Sequence, residues 1–329
     1  MGFRALLTDR DDAGKVSSAV TEIDEARLPE GNVTIDIDWA GLNYKDGLCL
    51  TGGGGLVRNY PHVAGVDFAG TVRDSADDRY AVGQKVVLTG WRVGEVQWGG
   101  FAERARVNAD WLVPLPGGLS TRDAMVVGTA GLTAMLSINR LEAAGLTPAS
   151  GEVLVTGAAG GVGSIATALL AKLGYTVAAL SGRPQHAEAL TALGAASIVD
   201  RNEFLAQPDK PLESARWAAA IDCVGGKVLS KLLKQVKYDG VVAALGNAAG
   251  IGLETNVLPF ILRGVTLIGI DSVMQPFDTR IAAWQRIAET FDIAAYGDLV
   301  REIGLEELPA AADQILAGEI KGRVLVRPR

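Results

Sequence analysis

Four glycines, Gly157, Gly160, Gly161 and Gly163, close the apolar run Val153-Leu154-Val155-Thr156. They open into Ser164-Ile165-Ala166-Thr167-Ala168-Leu169-Leu170-Ala171-Lys172-Leu173-Gly174, which has helical spacing. Strand, tight turn and helix in that order put unpaired backbone N–H groups, those of Gly160, Gly161, Val162 and Gly163, where a dinucleotide pyrophosphate can meet a helix N-terminus. Ser181, Gly182 and Arg183 follow at about the distance where the second strand of such a unit ends. A carboxylate there would bond the adenosine ribose hydroxyls and repel a 2′-phosphate. None is present. Ser181 offers a hydrogen bond and Arg183 a charge-assisted fork, so the expected cofactor is NADPH in preference to NADH.

Two other readings of the glycines fail on chemistry. Thr156-Gly157-x-x-x-Gly161-x-Gly163 also fits the turn of short-chain dehydrogenases, which need a Tyr-x-x-x-Lys acid–base pair. None of Tyr44, Tyr60, Tyr80, Tyr175, Tyr238 and Tyr296 has lysine four residues on. A P-loop requires Gly-Lys-Ser or Gly-Lys-Thr after the glycines, and neither follows.

The elements that must carry these residues divide into two textures. The first third alternates apolar and polar residues, as in Asn32-Val33-Thr34-Ile35-Asp36-Ile37-Asp38-Trp39, the period of a half-buried strand. Phe3–Leu7 and Gly83–Gly90 read as further strands, and glycine-rich segments such as Thr51–Gly55 separate them. From about residue 125 strands and helices alternate. The expected strands are 153–156, 176–180, 197–199, 218–223, 240–245 and 266–270, the order of a doubly wound parallel sheet. Pro184 and Gly194 bracket a helix over Gln185–Leu193. After Asp271 come a helix, roughly Arg280–Phe291, and a final strand, Arg323–Val326, which return to the first domain. The expected division is 1–124 with 271–329 for a discontinuous β domain, and 125–270 for the nucleotide-binding domain.

A chain of 329 residues suits two domains, and 48% hydrophobic with 21% charged residues describes a globular protein. A net charge of −7 argues against a nucleic-acid surface. Cys49 and Cys223 lie far apart, without metal or disulfide spacing, and suit a reducing compartment. Arg4, Asp9, Arg10 and Asp11 interrupt any N-terminal signal core. The longest uncharged run, Ala124 to Asn139, is too short to span a bilayer. The expectation is a cytoplasmic protein with neither nucleic acid nor membrane as partner.

Taken in order, several segments resemble the quinone oxidoreductase branch of the medium-chain dehydrogenase/reductase superfamily, and within it the acrylyl-CoA reductase family. They are Leu42-Asn43-Tyr44-Lys45-Asp46, Gly65-Val66-Asp67-Phe68-Ala69-Gly70, Leu88-Thr89-Gly90-Trp91, Gly128-Thr129-Ala130-Gly131-Leu132-Thr133-Ala134 and Val153–Gly163. Ser181-Gly182-Arg183, Phe260-Ile261-Leu262-Arg263-Gly264 and Asp271-Ser272-Val273-Met274 continue the match over nearly the whole chain. The resemblance implies an α/β fold, a GroES-like β-barrel catalytic domain beside a Rossmann sheet. It also implies no zinc. The cysteine position of the zinc-dependent members reads Asn43 here, and their Gly-His-Glu reads Gly65-Val66-Asp67. His62 and His186, the only histidines, are far apart and unsupported by other ligands.

The chemistry implied is reduction of a 2-enoyl thioester, most directly acrylyl-CoA to propanoyl-CoA. Hydride from NADPH attacks the β-carbon and the thioester carbonyl takes up the charge, so orientation and neutral hydrogen-bond donors suffice. Tyr44 is the expected neighbour of the nicotinamide, for positioning or for proton donation, and Asn43, in the same loop, is expected to stabilise that loop in preference to donating to the substrate. Thr133, Leu245, Ser272, Arg323 and, more loosely, Arg216 are carried over as cofactor contacts. Arg58, Arg92, Arg104 and Arg106 are unranked candidates for a CoA phosphate. Reduction of quinones or other α,β-unsaturated carbonyls stays open, as does a nonenzymatic NADPH-binding redox sensor. A homodimer is the family expectation, through Val265-Thr266-Leu267-Ile268-Gly269-Ile270.

Overall fold

Alternating burial along the N-terminal segments builds antiparallel sheets. The computed structural model describes residues 2–329. Strands β1 (Gly2–Arg10) and β2 (Val16–Asp24) pair with Leu6 opposite Val20. There follow β3 (Val33–Leu42), the short helix α1 (Tyr44–Thr51), β4 (His62–Val63), β5 (Asp67–Ser75), β6 (Lys85–Thr89), β7 (Arg104–Val107) and β8 (Leu112–Pro114). The helix α2 (Thr121–Ala143) then leads out of this unit.

The second unit is the alternating one. It contains β9 (Val153–Thr156), α3 (Gly161–Lys172), β10 (Val177–Ser181), α4 (Ala187–Ala192), β11 (Ala195–Asp200) and α5 (Arg201–Ala206). It continues with β12 (Trp217–Asp222), α6 (Gly226–Leu233), β13 (Val236–Ala244), α7 (Leu258–Arg263) and β14 (Thr266–Gly269). All five ladders are parallel, in the order β11-β10-β9-β12-β13-β14. The strand order reverses at β9, so the carboxyl end of β9 is the switch point at which such sheets bind ligands. Strands β9, β10 and β12 are buried throughout, as a sheet covered on both faces requires.

The chain ends with α8 (Phe277–Thr290), β15 (Val300–Gly304), α9 (Leu308–Leu316) and β16 (Arg323–Arg327). Strand β16 pairs with β3, completing the sheet β15-β16-β3-β5-β6-β8, while β7 also pairs with β3 and β2-β1-β4 form a separate sheet. The core of this unit includes Ile35, Ile37, Phe68, Leu88 and Phe101, all below 1% exposure. Backbone contacts group Ser272–Ala288 and Gly297–Arg329 with the segment up to Thr129, and Glu289–Tyr296 with Ala130–Asp271. Segment 289–296, expected with the first domain, thus clusters with the second. Tyr296 is the physical reason: its buried hydroxyl meets Ser164 Oγ at 2.6 Å, and its ring packs on Phe291.

The uncharged run 124–139 turns out to be the middle of α2, extended at both ends by residues with charged side chains. By length and composition this segment, broken at Gly128 where the backbone leaves helical geometry, could cross a membrane, yet 83% of its apolar window is buried in the protein. The helix bracketed by Pro184 and Gly194 begins as a 3-10 turn, Pro184–His186, before α4.

Candidate active site

The glycine turn of the second unit is built as an anion cradle. Gly157 takes φ 61° and reverses the chain, and Gly160 N–H donates to Gly157 O at 2.9 Å. A β-carbon on Gly163 would stand 2.4 Å from Gly157 O, so only glycine lets α3 start directly against the turn. Gly160, the N-cap of α3, has no side chain to cap it. The N–H groups of Gly161, Val162 and Gly163 meet no protein acceptor among the described residues, which leaves the helix N-terminus available to a phosphate. Beneath the turn, Asp222 accepts hydrogen bonds from Thr156 Oγ1 (2.6 Å) and Gly225 N–H (2.8 Å), tying the ends of β9 and β12 together. Burial pushes the Asp222 carboxyl upward, against the Thr156 and backbone hydrogen bonds.

At the carboxyl end of β10, Ser181 Oγ accepts the Arg183 N–H at 3.1 Å. Asp200, opposite Ser181 in the β10/β11 register, caps α5, its Oδ1 accepting from Asn202 and Glu203 N–H. The next residue, Arg201, was not expected from the sequence. Its guanidinium lies against Gly182, so close that a β-carbon there would be 2.6 Å from the guanidinium carbon. Neither Arg183 nor Arg201 has a side-chain hydrogen bond or ion pair among the described residues. Two unneutralised guanidiniums thus flank Ser181-Gly182, a donor set suited to a phosphate monoester. Arg201 could have been found in the sequence only as the first basic residue after β11.

Arg216 does not join them. It precedes the amino end of β12, opposite to the end that carries the turn, stacks on Trp217 at 4.0 Å and faces Glu152 at 3.9 Å. The residue expected as a looser cofactor contact thus stands in a packing contact at the far end of its strand. Leu245 follows β13 on the turn's side of the sheet, its N–H donating to Asp222 O at 3.0 Å. Thr133 is buried in α2, its carbonyl accepting Ser137 Oγ.

In the first unit, Asn43 caps α1 and Tyr44 opens it, 46% exposed. Asn43 Oδ1 accepts from Arg323 Nη1 at 3.0 Å, and its Nδ2 donates to Gly41 O and Asp46 Oδ2. Both ends of the Asn43 amide are thus engaged, by Arg323 and within its own loop. Arg323 itself is 3% exposed. Its nitrogens face the carbonyls of Val126, Leu42 and Met125, Asn43 Oδ1, and Asp67 Oδ2 at 3.6 Å. The residue expected as a cofactor contact thus has its guanidinium engaged within the protein. Gly128, at φ 52°, explains part of the Gly128-Thr129 motif: a β-carbon there would be 2.5 Å from Asp67 and 2.6 Å from Arg323.

Two carboxyls sit at the base of this loop with no exposure at all. Asp46 accepts from Asn43, Gly65 and Val66 N–H, yet burial and the neighbouring Asp67 push its pKa up to about 7. Asp67 accepts from Thr129 N–H at 2.7 Å; burial raises it too, opposed by Arg323. Among the described residues no cluster of three or more His, Cys, Asp or Glu could hold a metal ion. His62 is buried, its Nε2–H donating to Gly94 O at 2.9 Å, and burial lowers its pKa. Ser272, partly buried, offers its carbonyl to Arg280.

Two family models match parts of the chain. Residues 29–117 match the alcohol dehydrogenase GroES-like domain, and residues 161–289 the zinc-binding dehydrogenase domain. The chain is 56% identical over 325 residues, 98% of each chain, to the acrylyl-CoA reductase AcuI of Ruegeria pomeroyi. It is 53% identical to the probable acrylyl-CoA reductase AcuI of Escherichia coli, over 99% of each. The crystal structure of the YhdH oxidoreductase from Salmonella enterica in complex with NADP superposes with a TM-score of 0.96 at 52% identity, covering 99% of this chain and 100% of that one. The chain therefore belongs to the acrylyl-CoA reductase family of the medium-chain dehydrogenase/reductase superfamily.

Proposed function

We propose that this protein is an NADPH-dependent reductase of the carbon–carbon double bond of a 2-enoyl thioester, acrylyl-CoA to propanoyl-CoA. The observation that carries the reading is the full-length identity with acrylyl-CoA reductases, together with a glycine turn whose N–H groups meet no protein acceptor among the described residues and a Ser181-Gly182-Arg183 edge flanked by the guanidinium of Arg201. Gly160, Gly161, Val162 and Gly163 would hold the pyrophosphate, and Ser181, Gly182, Arg183 and Arg201 the 2′-phosphate. Thr133, Leu245 and Ser272 remain proposed contacts elsewhere along the cofactor. When bound, NADPH supplies the hydride that reduces the β-carbon.

What this chain adds is orientation and hydrogen bonding. A conjugated thioester carries its own electron sink in the carbonyl, so a neutral donor suffices where an alcohol dehydrogenase needs a cation. Tyr44 presents its phenol at the start of α1, and Asn43, Arg323 and Asp46 fix that start. Metal-free chemistry is supported by Asn43 and Val66 at the positions where zinc-dependent relatives place ligands. The proton for the α-carbon comes from a side chain or from water.

Edge strand β14 and the exposed Val257, Ile261 and Leu262 of the neighbouring segment support a homodimer formed across that edge. Light scattering decides it. A cytoplasmic location suits the two unpaired cysteines.

The test of the activity is NADPH oxidation with acrylyl-CoA, crotonyl-CoA, free acrylate and a benzoquinone side by side. Turnover of acrylyl-CoA is the expected result. Rapid quinone reduction with none of acrylyl-CoA would move the protein to the quinone reductases. Tight NADPH binding without any turnover would leave a cofactor-binding protein.

A further inference from the structure

The four arginines of the first unit offered for a CoA phosphate are separated by their surroundings. Arg104 is partly buried against β3, bonded to Glu25 and, at 3.1 Å, to Asp36. Arg106 donates to Thr34 Oγ1 at 3.3 Å. Arg58 is exposed on the loop after the glycine run, with no partner among the described residues. Arg92 differs from all three.

Arg92 follows Gly90 and Trp91 in a left-handed run, with φ of 83°, 57° and 58°. Two consecutive non-glycine residues in that region persist only where the surroundings over-determine them. Here they are pinned on several sides. Arg280, 1% exposed, donates to Thr89 O (2.7 Å), Ser272 O (3.1 Å) and Val273 O (2.6 Å), and its guanidinium lies 5.0 Å from the Trp91 ring. Trp91 N–H donates to Val273 O at 2.9 Å, and His62 secures Gly94 O. The loop therefore presents Arg92 in a fixed place, with its side chain 48% exposed.

The charges beside it do not balance. Glu95, with a side chain only 7% exposed, meets Lys45 Nζ at 2.9 Å and Arg92 Nε at 3.7 Å. Two cations share one carboxylate, and one positive charge is left over. Lys45 is the neighbour of Tyr44 on α1, so the surplus charge is tied through Glu95 and Lys45 to the helix that carries the proposed substrate-positioning phenol. A substrate whose reacting end and anionic end are joined by a flexible arm can meet both.

We infer that Arg92, with Lys45 and their shared counter-ion Glu95, forms the subsite that takes a phosphate of the CoA moiety. The inference rests on the substrate being a CoA thioester and adds the residue that recognises its phosphate end. It is tested with Arg92→Gln, Arg92→Lys and, as a control, Arg58→Gln, each assayed on acrylyl-CoA and on the phosphate-free acrylyl-pantetheine thioester. A charge-assisted bond to phosphate predicts that Arg92→Gln raises KM for acrylyl-CoA about tenfold. KM for the pantetheine thioester, KM for NADPH and kcat stay unchanged, Arg92→Lys restores part of the loss, and Arg58→Gln matches wild type. An unmoved KM for acrylyl-CoA, or an equal rise for both thioesters, overturns the subsite while leaving the reductase reading intact. Failure of the wild type to reduce either thioester overturns the substrate reading and the subsite with it.

Discussion

Asp67 and Arg323 face each other at 3.6 Å with 0% and 3% of their side chains exposed, and their contact passes between Gly41 and Gly128, where a β-carbon would collide with both. This pair fastens the last strand, β16, to the loop that carries Asn43 and Tyr44. A buried pair of this kind adds little net stability against an apolar substitute, but removing one partner strands the other.

Arg323→Met is therefore expected to destabilise the protein by about 3–5 kcal/mol, because Asp67 would keep a buried charge without its guanidinium. Urea unfolding measures this. The double variant Arg323→Met/Asp67→Asn should recover part of the loss, since the two residues are coupled. A pair of additive effects would show that they are not.

Asp46 makes stability depend on pH in an unusual direction. Its folded pKa, about 7, lies above the ordinary aspartate value of 3.8, so the folded state binds the extra proton between these two values. Stability from this group is full below pH 4 or so and falls as pH rises toward 7. Asp46→Asn removes the titration, and its stability should decline less than that of wild type across that window. Parallel curves of unfolding free energy against pH would contradict the assignment.

Arg201→Ala and Arg183→Ala should each lower kcat/KM for NADPH about 10- to 100-fold, the loss of one charge-assisted phosphate contact. Values with NADH should stay near wild type, because NADH lacks the 2′-phosphate. The ratio of the two cofactors' kcat/KM is the measurement, and an unchanged ratio in both variants would remove the 2′-phosphate assignment.

Tyr44→Phe separates positioning from proton transfer. A general acid contributes about 10²- to 10⁴-fold, so a kcat that falls by only a few-fold identifies Tyr44 as a positioning group. That modest fall is expected, together with a rise in KM for the cofactor or substrate when Tyr44 is truncated to Ala. A drop of a hundredfold or more in Tyr44→Phe, with KM unchanged, would instead make it the proton donor.

The sequence alone determined the glycine turn, the strand before it and the helix after it, because those features depend on backbone freedom and apolar spacing within a few residues. It also determined the missing carboxylate after β10, a matter of which residue type stands at one position. Strand ends moved by a few residues, as with β13, which starts at Val236 where 240 was expected. Only the tertiary structure decided which distant residues share a site. Arg201 reaches Gly182 because β10 and β11 pair in parallel with Ser181 opposite Asp200, a register that no local signal encodes. Arg216, equally basic, lies at the wrong end of its strand. Likewise Arg323 meets Asn43 and Asp67 across more than 250 residues of sequence. Type and spacing named the candidate donors; strand register and burial decide which of them stand at the carboxyl ends of the sheet strands and which hold the Asn43–Tyr44 loop.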